Sequence, residues 1–151
     1  MRPLKNFEDY LKLGIIKKIT PNIARAKSLI EEAKKRKKFI EEVFEKIRLK
    51  DENANYFIEN SYDILMELIR SQLLANGFSS SGEGAHEAEI SFMRKLGFSE
   101  NETRFLNDLR YFRNGILYYG KHFDEEYGKR VIDFLNKLYP KLMEKNEKYF
   151  N

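Results

Sequence analysis

Apolar residues recur at steps of three and four positions through most of the chain, which is the spacing of amphipathic α-helices. Together with capping residues, this spacing predicts five helices, over about residues 21–49, 53–75, 85–96, 99–119 and 124–144. No stretch of any length alternates apolar and polar residues as a strand would. Because short loops place consecutive helices antiparallel, the sequence predicts an all-α antiparallel helical bundle of about five helices.

Residues 1–20 are predicted to form a short N-terminal extension, and residues 21–151 the helical bundle. Within the bundle, residues 78–84 are rich in glycine and serine and predict a flexible connector, with Ser81 capping the helix that follows. Pro140 lies inside the last apolar pattern, where it favours a kink or an earlier end of that helix.

The fourth predicted helix has two distinct faces. One face is apolar and predicts a core contact; its members are Phe105, Leu109, Phe112, Ile116 and Tyr119. The neighbouring face, which we call the Arg113 stripe, consists of Arg110, Arg113, Asn114, Leu117, Tyr118 and Lys121. This stripe contains too many hydrogen-bonding groups for an ordinary core, so it is the candidate functional site.

The second predicted helix can supply a counter-charge for the stripe. Its buried side is apolar, and polar residues, among them Glu59, Tyr62 and Asp63, occupy the remainder. An arginine that is partly buried needs a carboxylate partner, because an uncompensated buried charge is strongly destabilising. Glu59 or Asp63 is therefore the expected partner of Arg113.

Composition restricts the chemistry further. The chain has no cysteine, which excludes disulfides, zinc–thiolate sites and cysteine nucleophiles. Of the two histidines, His86 has acidic neighbours but no second histidine one helical turn away, so we expect a surface or packing role for it. Neither a metal nor an organic cofactor is expected.

Charge and hydropathy indicate the environment of the protein. The 28 basic and 24 acidic residues are interspersed and leave a net charge of +4, which favours a polyanionic partner only mildly. No apolar run approaches the roughly 18 residues that are needed to span a bilayer. We therefore expect a soluble cytoplasmic protein that does not bind membranes.

The order of elements resembles the HEPN domain: two long helices, a loop with a shorter helix, and a late helix that carries Arg113-Asn114. In that family the late helix bears an arginine, usually followed by asparagine, and then a histidine after four to six residues. Residues 11–33, LKLGIIKKITPNIARAKSLIEEA, also resemble a lead-in of archaeal and bacterial members. The resemblance spans nearly the whole chain.

Tyrosine occupies the position of the family histidine. Four residues separate Arg113 from Tyr118, and five separate it from Tyr119. His122 follows only after eight intervening residues. A tyrosine, with a pKa of about 10, does not act as a base at neutral pH. It can still donate a hydrogen bond to phosphate or stack on a nucleobase, so the sequence leaves ribonuclease activity open.

The resemblance implies partners as well as a fold. In the family that the chain resembles, active members are metal-independent ribonucleases in which two such motifs meet across a homodimer. Many HEPN proteins are instead partners of a minimal nucleotidyltransferase in toxin–antitoxin-like pairs. The resemblance therefore implies an RNA- or nucleotide-associated protein, with Tyr118 or Tyr119 as a target for adenylylation.

Three interpretations of the Arg113 stripe remain open. In the first, Arg113 clamps a phosphate while Asn114 and Tyr118 orient it, and these three are the candidate catalytic residues. In the second, the stripe is the contact face of a non-catalytic module that binds a second copy or a partner protein. In the third, Arg113 and Asn114 only fix the register of the bundle. The candidate binding residues are Arg110, Tyr119, Lys121, His122, Glu59 and Asp63.

Overall fold

A computed structural model describes residues 3–149 of the chain. Its elements follow in the order α1 (Phe7–Lys12), β1 (Ile16–Lys18), α2 (Ile23–Lys46), α3 (Ala54–Ala75), β2 (Phe78–Ser80), α4 (Ala85–Ser91), α5 (Glu100–Tyr119) and α6 (Glu125–Glu147). Short 3₁₀ turns precede α3 and follow α4. The prediction of an all-α helical bundle is confirmed, and α2 to α6 correspond to the five predicted helices.

The first two long helices, α2 and α3, run antiparallel. At one end the Ser71 hydroxyl donates to the carbonyl of Ala26 over 2.8 Å. At the other end the rings of Phe44 and Phe57 meet edge to face, with centroids 6.1 Å apart. The short connection between the two helices therefore produces the predicted orientation.

The last two long helices, α5 and α6, pair in the same way. The ring centroids of Phe105 and Phe134 lie 4.3 Å apart, and those of Phe112 and Tyr127 lie 5.5 Å apart. The α3 helix lies at the centre of the molecule, because it packs against α2, α5 and α6. Side chains on nearly every face of α3 are buried, so this helix supplies most of the core.

Local chemistry explains where several helices begin and end. The α2 helix begins two residues later than predicted, where the Asn22 side chain accepts a hydrogen bond from the amide of Arg25 over 3.1 Å. The α4 helix ends at Ser91 rather than at residue 96, and the chain continues as a 3₁₀ turn. Pro140 does not end α6, since it lies on the exposed side of the helix, where water can hydrate the carbonyl that loses its donor.

The predicted flexible connector is partly a strand. Residues 78–80 pair antiparallel with residues 16–18, with Ile16 opposite Ser80. Ser81 does not cap the next helix: its amide donates to the carbonyl of Ile15, and Gly84 precedes α4 with a φ of 84°. The strands have three residues each, which is too short for an alternating pattern to be visible in the sequence.

The segment that precedes α2 packs against the bundle. Phe7, Tyr10 and Ile16 are buried in a cluster with Leu73 of α3 and Phe92, which follows α4. The ring centroids of Phe7 and Phe92 are 5.1 Å apart. This cluster holds α1 and β1 beside α4, the helix that contributes to the polar cluster described below.

Among residues 3–149, no helix combines the length and the apolar composition that a membrane crossing requires.

Candidate functional site

The α5 helix positions the predicted site. It begins at a capping box, in which the Ser99 hydroxyl accepts from the amide of Glu102 over 3.1 Å and the Glu102 carboxylate accepts from the amide of Ser99 over 2.9 Å. It ends at Tyr119, because Gly120 adopts the left-handed conformation with a φ of 64°. The helix therefore carries the Arg113 stripe as far as Tyr118 but not Lys121, which lies beyond its end.

Arg113 contacts α3 rather than solvent. Its Nη2 atom donates to Asp63 Oδ1 over 3.3 Å, and its guanidinium carbon lies 5.2 Å from the ring centroid of Tyr62. The Arg113 side chain is only 20% exposed, and its buried Nε has no hydrogen-bond partner among the described residues. Of the two carboxylates expected to pair with Arg113, Asp63 is the one that does.

Arg110 is also engaged inside the molecule. Its Nε donates to Asn107 Oδ1 over 3.1 Å, and its Nη1 lies 3.7 Å from Glu87 Oε1 of α4. The Arg110 side chain is 13% exposed. Both arginines of the stripe therefore have carboxylate partners on neighbouring helices.

A tyrosine–histidine pair lies beside Arg113. The Tyr62 hydroxyl is 2.9 Å from Nδ1 of His86, and Tyr62 is completely buried. Burial raises the pKa of Tyr62. Burial also lowers the pKa of His86 below its ordinary value of 6.5, although the nearby Glu89 carboxylate acts to raise it. The imidazole is therefore neutral at neutral pH, and a protonated phenol can donate to it.

A buried ion pair joins α3 to α4. The Arg70 guanidinium binds the Glu89 carboxylate through two hydrogen bonds, Nε to Oε2 over 2.5 Å and Nη2 to Oε1 over 3.0 Å. The Glu89 side chain is 1% exposed. This bidentate geometry fixes the position of α4, and with it His86 and Glu87.

Glu59 lies one helical turn before Asp63 and is half-buried. Burial raises the pKa of Glu59 above its ordinary value of 4.5; Arg113 opposes this shift and Asp63 adds to it. The carboxyl group therefore takes up a proton more readily than an exposed glutamate does.

The charged groups between α3, α4 and α5 balance one another. We call them the α3–α5 polar cluster: the arginines Arg70, Arg110 and Arg113 and the carboxylates Glu59, Asp63, Glu87 and Glu89. Three guanidinium groups face four carboxylates, so the cluster has no surplus of positive charge to offer a phosphate. Its geometry suits a structural role that holds three helices in register.

The C-terminal end of α5 is different, because large side chains project into solvent there. Leu117, Tyr118 and Tyr119 are 47%, 74% and 80% exposed. With the exposed Lys121 and His122 they form what we call the α5 terminal face. Tyr119 was expected in the core, and that prediction is wrong: the helix ends at this residue, and no element within residues 3–149 covers it.

The segment after α5 is attached to the start of α3. The Asn55 side chain donates to the carbonyl of Lys121 over 2.8 Å and accepts from the amide of Phe123 over 2.9 Å. Next to Asn55, Tyr56 is 67% exposed, so a further aromatic ring lies near the α5 terminal face.

The structure thus divides the predicted site in two. Arg110 and Arg113 belong with Glu59 and Asp63 in the polar cluster, whereas Tyr118, Tyr119, Lys121 and His122 belong to the exposed end of α5. Asn114 is partly buried between them.

Sequence reasoning missed Tyr62 and assigned it to the polar side of α3. A signal was present: Ile58, Tyr62 and Met66 follow one another at steps of four residues, and all three are buried. The contact between Tyr62 and His86 spans 24 positions and had no such signal.

No family model, no curated protein and no solved structure matches the chain. Within residues 3–149, no group of three or more histidine, aspartate or glutamate side chains is arranged to hold a metal ion.

Proposed function

We propose that the protein is a HEPN-like helical interaction module that forms a homodimer through the α5 terminal face. The observation that carries this proposal is the exposure of Leu117, Tyr118 and Tyr119, at 47–80%, at three consecutive positions in the last turn of α5. Contiguous exposed apolar and aromatic side chains are typical of contact surfaces between proteins, and tyrosine is enriched there. The resemblance to HEPN proteins supports the same arrangement, since it implies a dimer in which the late helices meet.

The polar cluster supports this proposal over a phosphate clamp at Arg113. The guanidinium of Arg113 is held by Asp63 and stacked on Tyr62, so a phosphate would have to displace a carboxylate that is already in place. Arg113 then acts as a positioning residue, which fixes α5 on α3 and thereby presents the terminal face.

Sedimentation equilibrium tests the dimer. The wild-type protein is expected to sediment at twice its chain mass of 18.1 kDa. Leu117→Glu places a charge in the proposed contact and is expected to weaken association at least tenfold, or about 1.4 kcal/mol. Ile23→Glu is the matched control, because Ile23 is 40% exposed at the start of α2. That position lies beside the C-terminal end of α3, where the Asn22 amide donates to the Leu74 carbonyl, whereas the α5 terminal face lies beside Asn55 at the start of α3. A wild-type protein that stays at the chain mass at every concentration would contradict the proposal.

A second candidate function is RNA or nucleotide binding at the same end of α5, in a nucleotidyltransferase-linked or toxin–antitoxin-like system of the cytoplasm. Tyr118 and Tyr119 offer exposed rings for stacking. Lys121 and His122 are exposed next to them and form no ion pair among the described residues, so their side chains can contact phosphate. This candidate uses the exposed end of the site rather than Arg113.

Binding to labelled single-stranded RNA distinguishes the two functions. If RNA binds, Lys121→Ala should weaken binding and reduce its salt dependence. Incubation with RNA in the absence of metal, beside an Arg113→Ala control, tests for ribonuclease activity. No binding and no cleavage, together with a stable dimer, would leave the interaction module as the function.

The exposure of both phenols also supports the adenylylation that the resemblance implies. Incubation with ATP and a minimal nucleotidyltransferase should transfer one AMP group to a phenol oxygen with release of pyrophosphate, and mass spectrometry detects the product. Tyr118→Phe or Tyr119→Phe should abolish that mass shift. Modification that persists in the double variant would exclude these tyrosines as the target.

A further inference from the structure

A long groove runs between the C-terminal half of α2 and the N-terminal half of α6, and its lining includes no residue of α5. It consists of two adjoining cavities of about 770 Å³ and 610 Å³. Both are lined by Phe44, Arg48 and Lys129, so they are continuous. We call this feature the α2–α6 groove.

The floor of the groove is apolar and follows helical spacing. Ile40 and Phe44 lie one turn apart on α2, and Ile132 and Leu135 lie one turn apart on α6. Three of these side chains are buried, whereas Phe44 is 38% exposed where the two cavities meet. Its ring is supported from below by Phe57, so Phe44 presents a fixed apolar surface at the middle of the groove.

The rim of the groove is acidic, although the chain as a whole carries a net charge of +4. Seven carboxylate residues and four cationic residues line the two cavities. Two of the four cations are already paired within their own helices, Lys37 with Glu41 and Lys129 with Asp133. The groove therefore has an excess of negative charge.

Some of the remaining carboxylates have structural roles and others do not. Asp51 accepts from the amide of Glu125 over 2.7 Å, and Asp124 caps α6. By contrast, the side chains of Glu45, Glu125 and Glu126 form no ion pair among the described residues. Their charges are available to a partner.

We propose that the α2–α6 groove binds a basic amphipathic helix of a partner protein. The apolar floor accepts the apolar face of such a helix, and the acidic rim accepts its lysine and arginine side chains. From Glu125 to Asn136 the groove extends along three turns of α6, or about 17 Å at 1.5 Å per residue. It therefore accommodates a helical segment of about 11 residues.

Other occupants fit the groove less well. A nucleic acid would bring phosphate groups to a rim that already carries surplus negative charge. A second copy of the chain has its own proposed contact at the α5 terminal face, none of whose residues lines this groove. The charge and shape of the groove favour a cationic helix over both.

Fluorescence anisotropy with a designed probe tests the proposal. The probe is a fluorescein-labelled peptide of about 14 leucine and lysine residues, with leucine at steps of three and four so that it forms one apolar face. The Leu/Lys peptide is expected to bind, and a Leu/Glu peptide of the same pattern is expected to bind at least tenfold more weakly. Equal binding of the two peptides would overturn the proposal.

Two pairs of variants locate the binding. Phe44→Ala is expected to weaken binding of the Leu/Lys peptide at least tenfold, whereas Phe39→Ala, which removes an exposed ring outside the groove, should leave it unchanged. If Phe39→Ala weakens binding as much as Phe44→Ala, the peptide is not held in the groove. Circular dichroism confirms that each variant is folded.

A second pair of variants, which remove charges, keeps the proposal testable if Phe44→Ala does not fold. Glu45→Gln/Glu126→Gln removes two rim charges and is expected to weaken binding at least tenfold. Glu42→Gln/Glu147→Gln changes the net charge equally on exposed positions outside the groove and should have no such effect. Loss of peptide binding in both double variants would overturn the proposal. Dissociation of the dimer caused by Phe44→Ala would also overturn it, because that result would place a second copy of the chain in the groove.

Discussion

The ion pair between Arg70 and Glu89 is the contact whose removal is expected to have the largest effect on stability. Glu89 is 1% exposed and accepts two hydrogen bonds from Arg70, whose side chain is 28% exposed. Removal of one partner from a buried pair costs about 3–5 kcal/mol, because the other charge remains uncompensated. Since water can partly hydrate Arg70, we expect Glu89→Gln to cost about 2–3 kcal/mol.

For a chain of 151 residues, 1 kcal/mol corresponds to roughly 2–4 °C in Tm. The Tm of Glu89→Gln is therefore expected to fall by about 4–12 °C. Thermal scans and urea denaturation followed by circular dichroism measure the change. Glu31→Gln is the matched control, since its pair with Lys34 is exposed and is worth about 0.5 kcal/mol or less.

A further variant separates charge burial from packing. Arg70→Met/Glu89→Leu replaces both charges with apolar side chains of similar size and is expected to recover most of the lost stability. An equal, small change in the free energy of unfolding for Glu89→Gln and Glu31→Gln would show that the buried ion pair does not supply this stability.

Three further predictions concern packing and protonation. Gly128→Val should cost about 1–3 kcal/mol in urea denaturation, because even a Cβ atom there would lie 3.0 Å from Leu49. Because the pKa of Glu59 is raised above 4.5, the folded state holds more protons than the unfolded state just above that pH, and stability falls as pH rises there. Glu59→Gln should remove this fall in thermal scans between about pH 4 and 7. Tyr62→Phe removes the donor to His86 and should cost about 1 kcal/mol and raise the pKa of His86 in an NMR titration.

Helix positions could be predicted because their determinants are local. The capping box at Ser99 and the glycine at position 120 mark both ends of α5, and the apolar spacing identifies its buried face. The pairing of the two short strands could not be predicted, because it joins Ile16 to Ser80 across 64 positions and leaves no periodic pattern.

The candidate site could be predicted only in part. Helical spacing places Arg110, Arg113 and Tyr118 on one side of α5, but it does not show which of them a neighbouring helix covers. Asp63 and Glu87 neutralise the two arginines because α3 and α4 lie beside that part of α5. The tyrosines at the helix end remain exposed because no element packs there, and this depends on the tertiary arrangement alone.

The proposed homodimer brings two copies of the chain together at the C-terminal end of α5. The protein has no cysteine, so a single substitution allows one spin label to be attached at a chosen position. Double electron–electron resonance between labels on His122→Cys, at the edge of the proposed contact, measures the distance between copies directly. We expect a resolved distance that is shorter than the distance for Ile23→Cys at the start of α2, which lies at the opposite end of the bundle. Absence of dipolar modulation at His122→Cys, or a shorter distance at Ile23→Cys, would contradict the proposed dimer.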